Sequence, residues 1–319
     1  MPDFIELAVE EIVEEEIYRL SYFRSPEKLK ISISHIGQTQ PLFCREEKGK
    51  AELFSGFLRK RALDELGFKS ANVILWKENE ISALKAFKMA FFENALSRGL
   101  NVIEQAKAVL SFKELKASEE EIKEHFKKAH LGLKISLIQK LPQIFELNDV
   151  WKKYLVEKNF KAKDAELILR FEKDELDQLE VFIQLGASYS QFRQLVEMID
   201  EIKRRDSCSA GDILERVNLK KIISQKNFSS AEKLAMIIDE IKKIRYPELS
   251  RLISRHQKIC EELNLPEGAK LKPVDWFEKP EYELELKISP QTPASEQFKK
   301  LLEISQSPVW KKLFEFNED

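Results

Sequence analysis

Cysteine is scarce in this 319-residue chain, and the three present, Cys44, Cys208 and Cys260, are far apart and odd in number. They form no CxxC or Cys/His ligand spacing, which argues against a disulfide scaffold and against a zinc site. Nine glycines and eleven prolines are too few for a turn-rich β protein. The four histidines are scattered, and His125 and His130, five apart, do not share a helix face, so a metal pair is not expected. No apolar run approaches a membrane span, and the start MPDFIELAVEEIVEEE is acidic rather than signal-like. The expectation is a cytoplasmic protein with no membrane partner. Ser/His/Asp and Cys/His arrangements are lacking, as is the clustered carboxylate and histidine set that two-metal cleavage requires.

What the chain has is charge and helical periodicity. Charged residues make up 34%, with a formal net charge of −2. The balance is uneven: residues 1–25 hold seven acids and two bases, residues 26–110 fourteen bases and ten acids. A phosphate-binding surface therefore belongs in the second segment.

Ser25-Pro26-Glu27 is a helix start, and Leu29, Ile33 and Ile36 mark a side of a helix that stops at Gly37. Apolar stretches 42–45 and 51–54, separated by EEKGK, predict a hairpin with Gly49 in the turn. Helix 57–66, strand 72–76 and helices 83–96 and 102–115 complete a small α+β unit. From about 118 the pattern is helical: SEEEIKEHFKKA carries a capping-box pair, Ser118 and Glu121, and an LGL turn at 131–133 leads into KISLIQKLPQIFEL, a helix-turn-helix signal. Periodic runs at 149–157, 162–171, 174–185, 189–205, 229–245 and 247–263 predict a helical bundle. Prolines 266, 273, 280, 290 and 293 mark a linker holding a half-exposed strand, 282–288, before helices 295–304 and 308–316. The expected division is 1–115, a phosphate- or nucleotide-binding domain; 116–173, a helix-turn-helix domain; 174–263, the bundle; and 264–319, linker plus a small C-terminal α/β module.

Two stretches carry chemistry. In SGFLRKRA, Gly56 lets the backbone approach an anion, the helix that follows presents free amides and a positive dipole end, and Arg59 and Arg61 offer bidentate contacts. About thirty positions later ENALSRGLNVIEQA supplies an acid and an amide, Glu93 and Asn94. With the GQTQP segment containing Gln40, and with Arg45, this order of residues resembles the N-terminal domain of the ParB partition family, a resemblance that covers about residues 25–170. The family's GERRxRA motif is matched by Gly56, Arg59, Arg61 and Ala62, while Phe57 stands for its acid and Leu58 for its first arginine. Its ENxQR motif is matched by Glu93 and Asn94, with Leu96 and Ser97 in place of Gln and Arg, and Arg98 one place late.

The resemblance implies an α+β ParB/sulfiredoxin-like domain that binds CTP through Gln40, Arg45, Gly56, Arg59, Arg61, Glu93 and Asn94, with Mg held by Glu93 and Asn94. It implies a homodimer clamp on DNA gated by the nucleotide, serving partition or DNA regulation. Apolar residues cannot orient water, so CTP hydrolysis is expected to be weak or absent. Sulfiredoxin chemistry is excluded, since Phe57 follows the glycine where that enzyme has cysteine. Lys134, Ser136, Gln139 and Lys140 are the donors a second helix would present to DNA, and Pro142 should kink or end that helix. Two alternatives remain open: an interaction module that keeps the fold without its sites, and a small-molecule kinase with Glu93 as base.

Overall fold

The computed structural model describes residues 2–288 and 293–314. Pro290, and residues 315 and 316 of the last expected helix, lie outside the described residues. The chain divides into two compact units, the first made mainly of residues 1–200 and the second mainly of 201–208, 212–228 and 235–319.

The first unit opens with two strands that the sequence reading did not anticipate, β1 (Asp3–Ala8) and β2 (Ile12–Glu14). Helix α1 (Glu27–Ile36) follows, then β3 (Leu42–Glu47), β4 (Lys50–Ser55), α2 (Phe57–Glu65) and β5 (Ser70–Trp76). The five strands form one sheet in the order β1-β5-β3-β4-β2. Strands β3 and β4 are the expected hairpin, and Lys48 and Gly49 both take positive φ, as a two-residue turn that follows the strand twist requires. Edge strand β1 pairs antiparallel with β5 and carries Asp3 and Glu6, charges that discourage further strand addition. Helix α1 stops at Gly37 (φ 71°) as expected, but it buries Ile33 alone, and Ile36 is exposed.

Helices α3 (Ala83–Ser97) and α4 (Val102–Glu114) complete the α+β part, and both begin at side-chain caps, Ser82 and Asn101. A helical region follows: α5 (Glu119–Lys128), α6 (Ile135–Lys140), α7 (Pro142–Glu146), α8 (Asp149–Glu157), α9 (Ala162–Ile168), α10 (Lys173–Gln184) and α11 (Tyr189–Asp206). The capping box of Ser118 and Glu121 starts α5. The left-handed residue that ends α5 is His130 (φ 59°) rather than Gly132, and Leu131 N donates to Phe126 O at 2.9 Å to close the last turn. Pro142 divides the expected second helix into α6 and α7, occupying the first turn of α7, where its missing N–H is not needed.

Further helices are α12 (Ala210–Arg216), α13 (Leu219–Ser224), α14 (Ser230–Arg245) and α15 (Pro247–Leu263). The segment read as a linker is a folded module. Strands β6 (Ala269–Pro273) and β7 (Tyr282–Leu286) pair antiparallel, and α16 (Ala294–Ser305) and α17 (Val309–Phe314) follow. Ile259, Leu263, Leu271 and Leu313 form its buried core, with Tyr282, Ile304 and Trp310 packed against it. Among the described residues no helix is long and apolar enough to cross a membrane.

Candidate functional site

The register of the hairpin builds the site. Because β3 and β4 run antiparallel with Phe43 opposite Ser55, the segment entering β3 lies beside the residues leaving β4. Gly56 turns the chain there at φ 103°, a backbone that L side chains rarely adopt, and an added Cβ would meet Leu42 Cδ2 at 2.8 Å, so that side chain would have to shift as well. Helix α2 starts at once, with its first amides at this turn. The entering segment is fixed on its far side by Gln38. Its side-chain amide donates to Asn72 O at 2.9 Å and accepts from Asn72 N at 2.7 Å, so a side chain continues the pairing of β5.

Arg59, one turn into α2, reaches back to this segment. Its Nη1 donates to Pro41 O at 2.8 Å and its Nη2 to Gln40 Oε1 at 2.7 Å. The buried Ser55 hydroxyl donates to Glu93 on α3. Burial pushes the Arg59 guanidinium below its ordinary value, and the charge of Glu93 partly restores it. Gln40, Gly56, Arg59 and Glu93 are thus brought together, and Ser55, which sequence reasoning missed, ties two of the stretches to each other. Its signal was only its place next to the glycine.

Three expected residues do not join them. Arg45 is buried and turned toward other partners: it donates to Tyr18 Oη at 2.9 Å and is ion-paired with Glu47 and Glu52. Arg61 points from the exposed side of α2 and pairs with Glu65 at 2.8 Å. Asn94 donates to Ala90 O at 2.8 Å and accepts from Arg98 Nε at 2.8 Å, so its amide is already engaged. The Mg set implied by the resemblance does not fit this arrangement, since Glu93 alone of the pair faces the turn and its carboxylate already accepts from Ser55. Among the described residues no three His, Cys, Asp or Glu side chains gather as a metal site.

The ENALSRGLNVIEQA stretch holds a second network. Glu104 is fully buried and accepts from Arg24 Nε and Nη2, both at 2.7 Å, and from Arg98 Nη1 at 3.0 Å. Arg98 also donates to Leu20 O at 2.6 Å. Phe57, which replaces the family's acid, is buried, while Leu96 is exposed.

The four proposed DNA donors, Lys134, Ser136, Gln139 and Lys140, are all exposed. Lys134 precedes α6 and makes no capping bond with its side chain, and Gln139 Nε2 donates to Glu119 of α5 at 2.8 Å, which ties the two helices.

No family model matches the chain. A nucleoid occlusion protein from Halalkalibacterium halodurans is 24% identical over 176 residues, 55% of this chain and 59% of that protein. Among solved structures, a C-terminally truncated chromosome-partitioning protein ParB from Caulobacter crescentus, complexed to the centromeric parS site, is 21% identical and covers 60% of this chain and 98% of its own, at a TM-score of 0.34. A pNOB8-like ParB N-domain is 18% identical and covers 61% of this chain and 87% of its own, at a TM-score of 0.40. The match to the curated relative spans less than two thirds of its length.

Proposed function

We propose that the chain is a DNA-associated protein whose ParB-type domain keeps a reduced nucleotide site at the Gly56 turn. The observation that carries this reading is the meeting of Arg59 with Gln40 and Pro41 beside the Ser55–Glu93 pair, at the amide end of α2. A CTP-like nucleotide would place its phosphates on these amides and on Arg59, and no hydrolytic step is assigned, because Phe57 and Leu96 supply no polar group. DNA would be held by Lys134, Ser136, Gln139 and Lys140, with the chain acting as a homodimer. The division at 115, 173 and 263 belongs to the same reading.

The test is a titration of the full chain with CTP, ATP and GTP, with and without DNA. Arg59→Ala is expected to weaken CTP binding about tenfold or more, since hydrogen bonds to charged groups contribute roughly 1.5–3 kcal/mol. DNA affinity should fall steeply as salt rises, through counterion release. Absence of CTP binding together with absence of a DNA mobility shift at low salt would favour the interaction-module reading, which the buried Phe57 at the turn supports.

A further inference from the structure

Three bases follow one another on α2, and they are not held alike. Lys60 pairs with Glu14 at 3.1 Å and with Asp64 at 3.3 Å, and Arg61 pairs with Glu65 at 2.8 Å. Arg59, partly buried, makes no ion pair among the described residues. Glu93 is the acid whose charge reaches it, and that carboxylate already accepts from Ser55. The guanidinium is satisfied instead by two neutral oxygens, Pro41 O on Nη1 at 2.8 Å and Gln40 Oε1 on Nη2 at 2.7 Å. Acceptors on the two terminal nitrogens take the edge that a phosphate takes with two of its own oxygens. Arg59 also lies over the turn, its Nη1 only 3.1 Å from where a Cβ of Gly56 would stand. The place beside the first amides of α2 that suits an anion is therefore filled from within the chain.

The two acceptors differ in freedom. Pro41 O belongs to a backbone that Gln38 fixes, through Asn72 and through Gln40 O at 3.0 Å. The Gln40 side chain is exposed, and among the described residues its one hydrogen bond is the one to Arg59. It can leave by rotating about its own bonds, on the picosecond to nanosecond scale, while the backbone stays in place. Its departure therefore does not slow capture, and water takes over the released amide.

We infer that Gln40 is a placeholder for the anion: it holds Arg59 in position while the site is empty, and an arriving phosphate displaces it from Nη2. The inference rests on the nucleotide reading of the Gly56 turn, and it changes Gln40 from the ligand contact that the sequence implies into a competitor. A neutral amide suits the part. It satisfies a donor that would be costly to leave unpaired, whereas a carboxylate there would form an ion pair and repel phosphate.

The test titrates CTP and inorganic pyrophosphate against the full chain and against Gln40→Ala, Gln40→Glu and Thr39→Ala. Gln40→Ala is expected to bind both ligands about tenfold more tightly, since no internal bond to a charged group has to be broken first. Gln40→Glu is expected to bind both at least about tenfold more weakly. Thr39→Ala, an exposed neighbour outside the contact, should match the parent chain. Binding that weakens or stays the same in Gln40→Ala overturns the inference and leaves the nucleotide reading standing. A gain for CTP without one for pyrophosphate would put Gln40 against the base or sugar, and an equal gain in Thr39→Ala would assign the effect to the segment as a whole; either overturns it. Binding by Gln40→Ala alone supports the inference, and absence of binding in both that variant and the parent removes the nucleotide reading and this inference with it.

Discussion

At the scale of single residues, the first unit depends on positions whose partners are distant in sequence. Gly56 has a left-handed backbone and an added Cβ would meet Leu42 Cδ2 at 2.8 Å, so Gly56→Ala is expected to cost about 1–3 kcal/mol, measured by urea unfolding. Unchanged stability would mean that the turn takes this backbone without glycine and that Leu42 gives way at no cost. Glu104 holds two guanidiniums from a fully buried position, so Glu104→Ala leaves uncompensated charge and should cost about 3–5 kcal/mol in the same measurement. Gly56 and Arg59 were legible in the sequence because both lie in one short motif with a single physical purpose. The partners of Arg45 and Asn94, Tyr18 for one and Arg98 for the other, were not legible because they are fixed by folding and not by the motif.

At the scale of elements, helices with side-chain caps were readable and edge strands were not. Ser118 and Glu121 announce α5 through a local bond, whereas β1 alternates weakly, leaves Phe4 exposed and is a strand only because β5 supplies its partner. Prolines misled the reading of the C-terminal module, since Pro273 closes β6 at a position that a strand end tolerates. Helix α5 also carries an acid-sensitive contact. His125 lies against the Phe92 and Phe112 rings, with both ring nitrogens shielded and without a hydrogen-bond partner among the described residues. Burial, reinforced by Lys88, holds its pKa below the ordinary 6.5. The folded state therefore favours the neutral ring, and its contribution is complete above about pH 6.5 and is lost as pH falls through the lowered value. His125→Phe is expected to raise the melting temperature and to flatten its decline between pH 6.5 and 5. A variant as acid-sensitive as the parent would place the titrating group elsewhere.

At the scale of the whole molecule, the division into two compact units implies that the chain does not unfold in one step. Calorimetry should give a calorimetric enthalpy above the van't Hoff value, and equality of the two would mean a single cooperative unit. The second unit has its own histidine. His256 stacks on Tyr282 at 5.6 Å, and burial lowers its pKa. By the same sign, this unit loses stability as pH falls below about 6.5, so in His125→Phe an acid-sensitive transition should remain.

The side-chain pairing of Gln38 with Asn72 bears on the kinetics of capture. The segment carrying Gln40 and Pro41 is stitched to β5 when the domain folds, so on the proposed reading an incoming anion would meet donors already in place and little ordering entropy would be left to spend on arrival. Association at this turn would then be governed by encounter, and differences in affinity among ligands would show in how long each one stays.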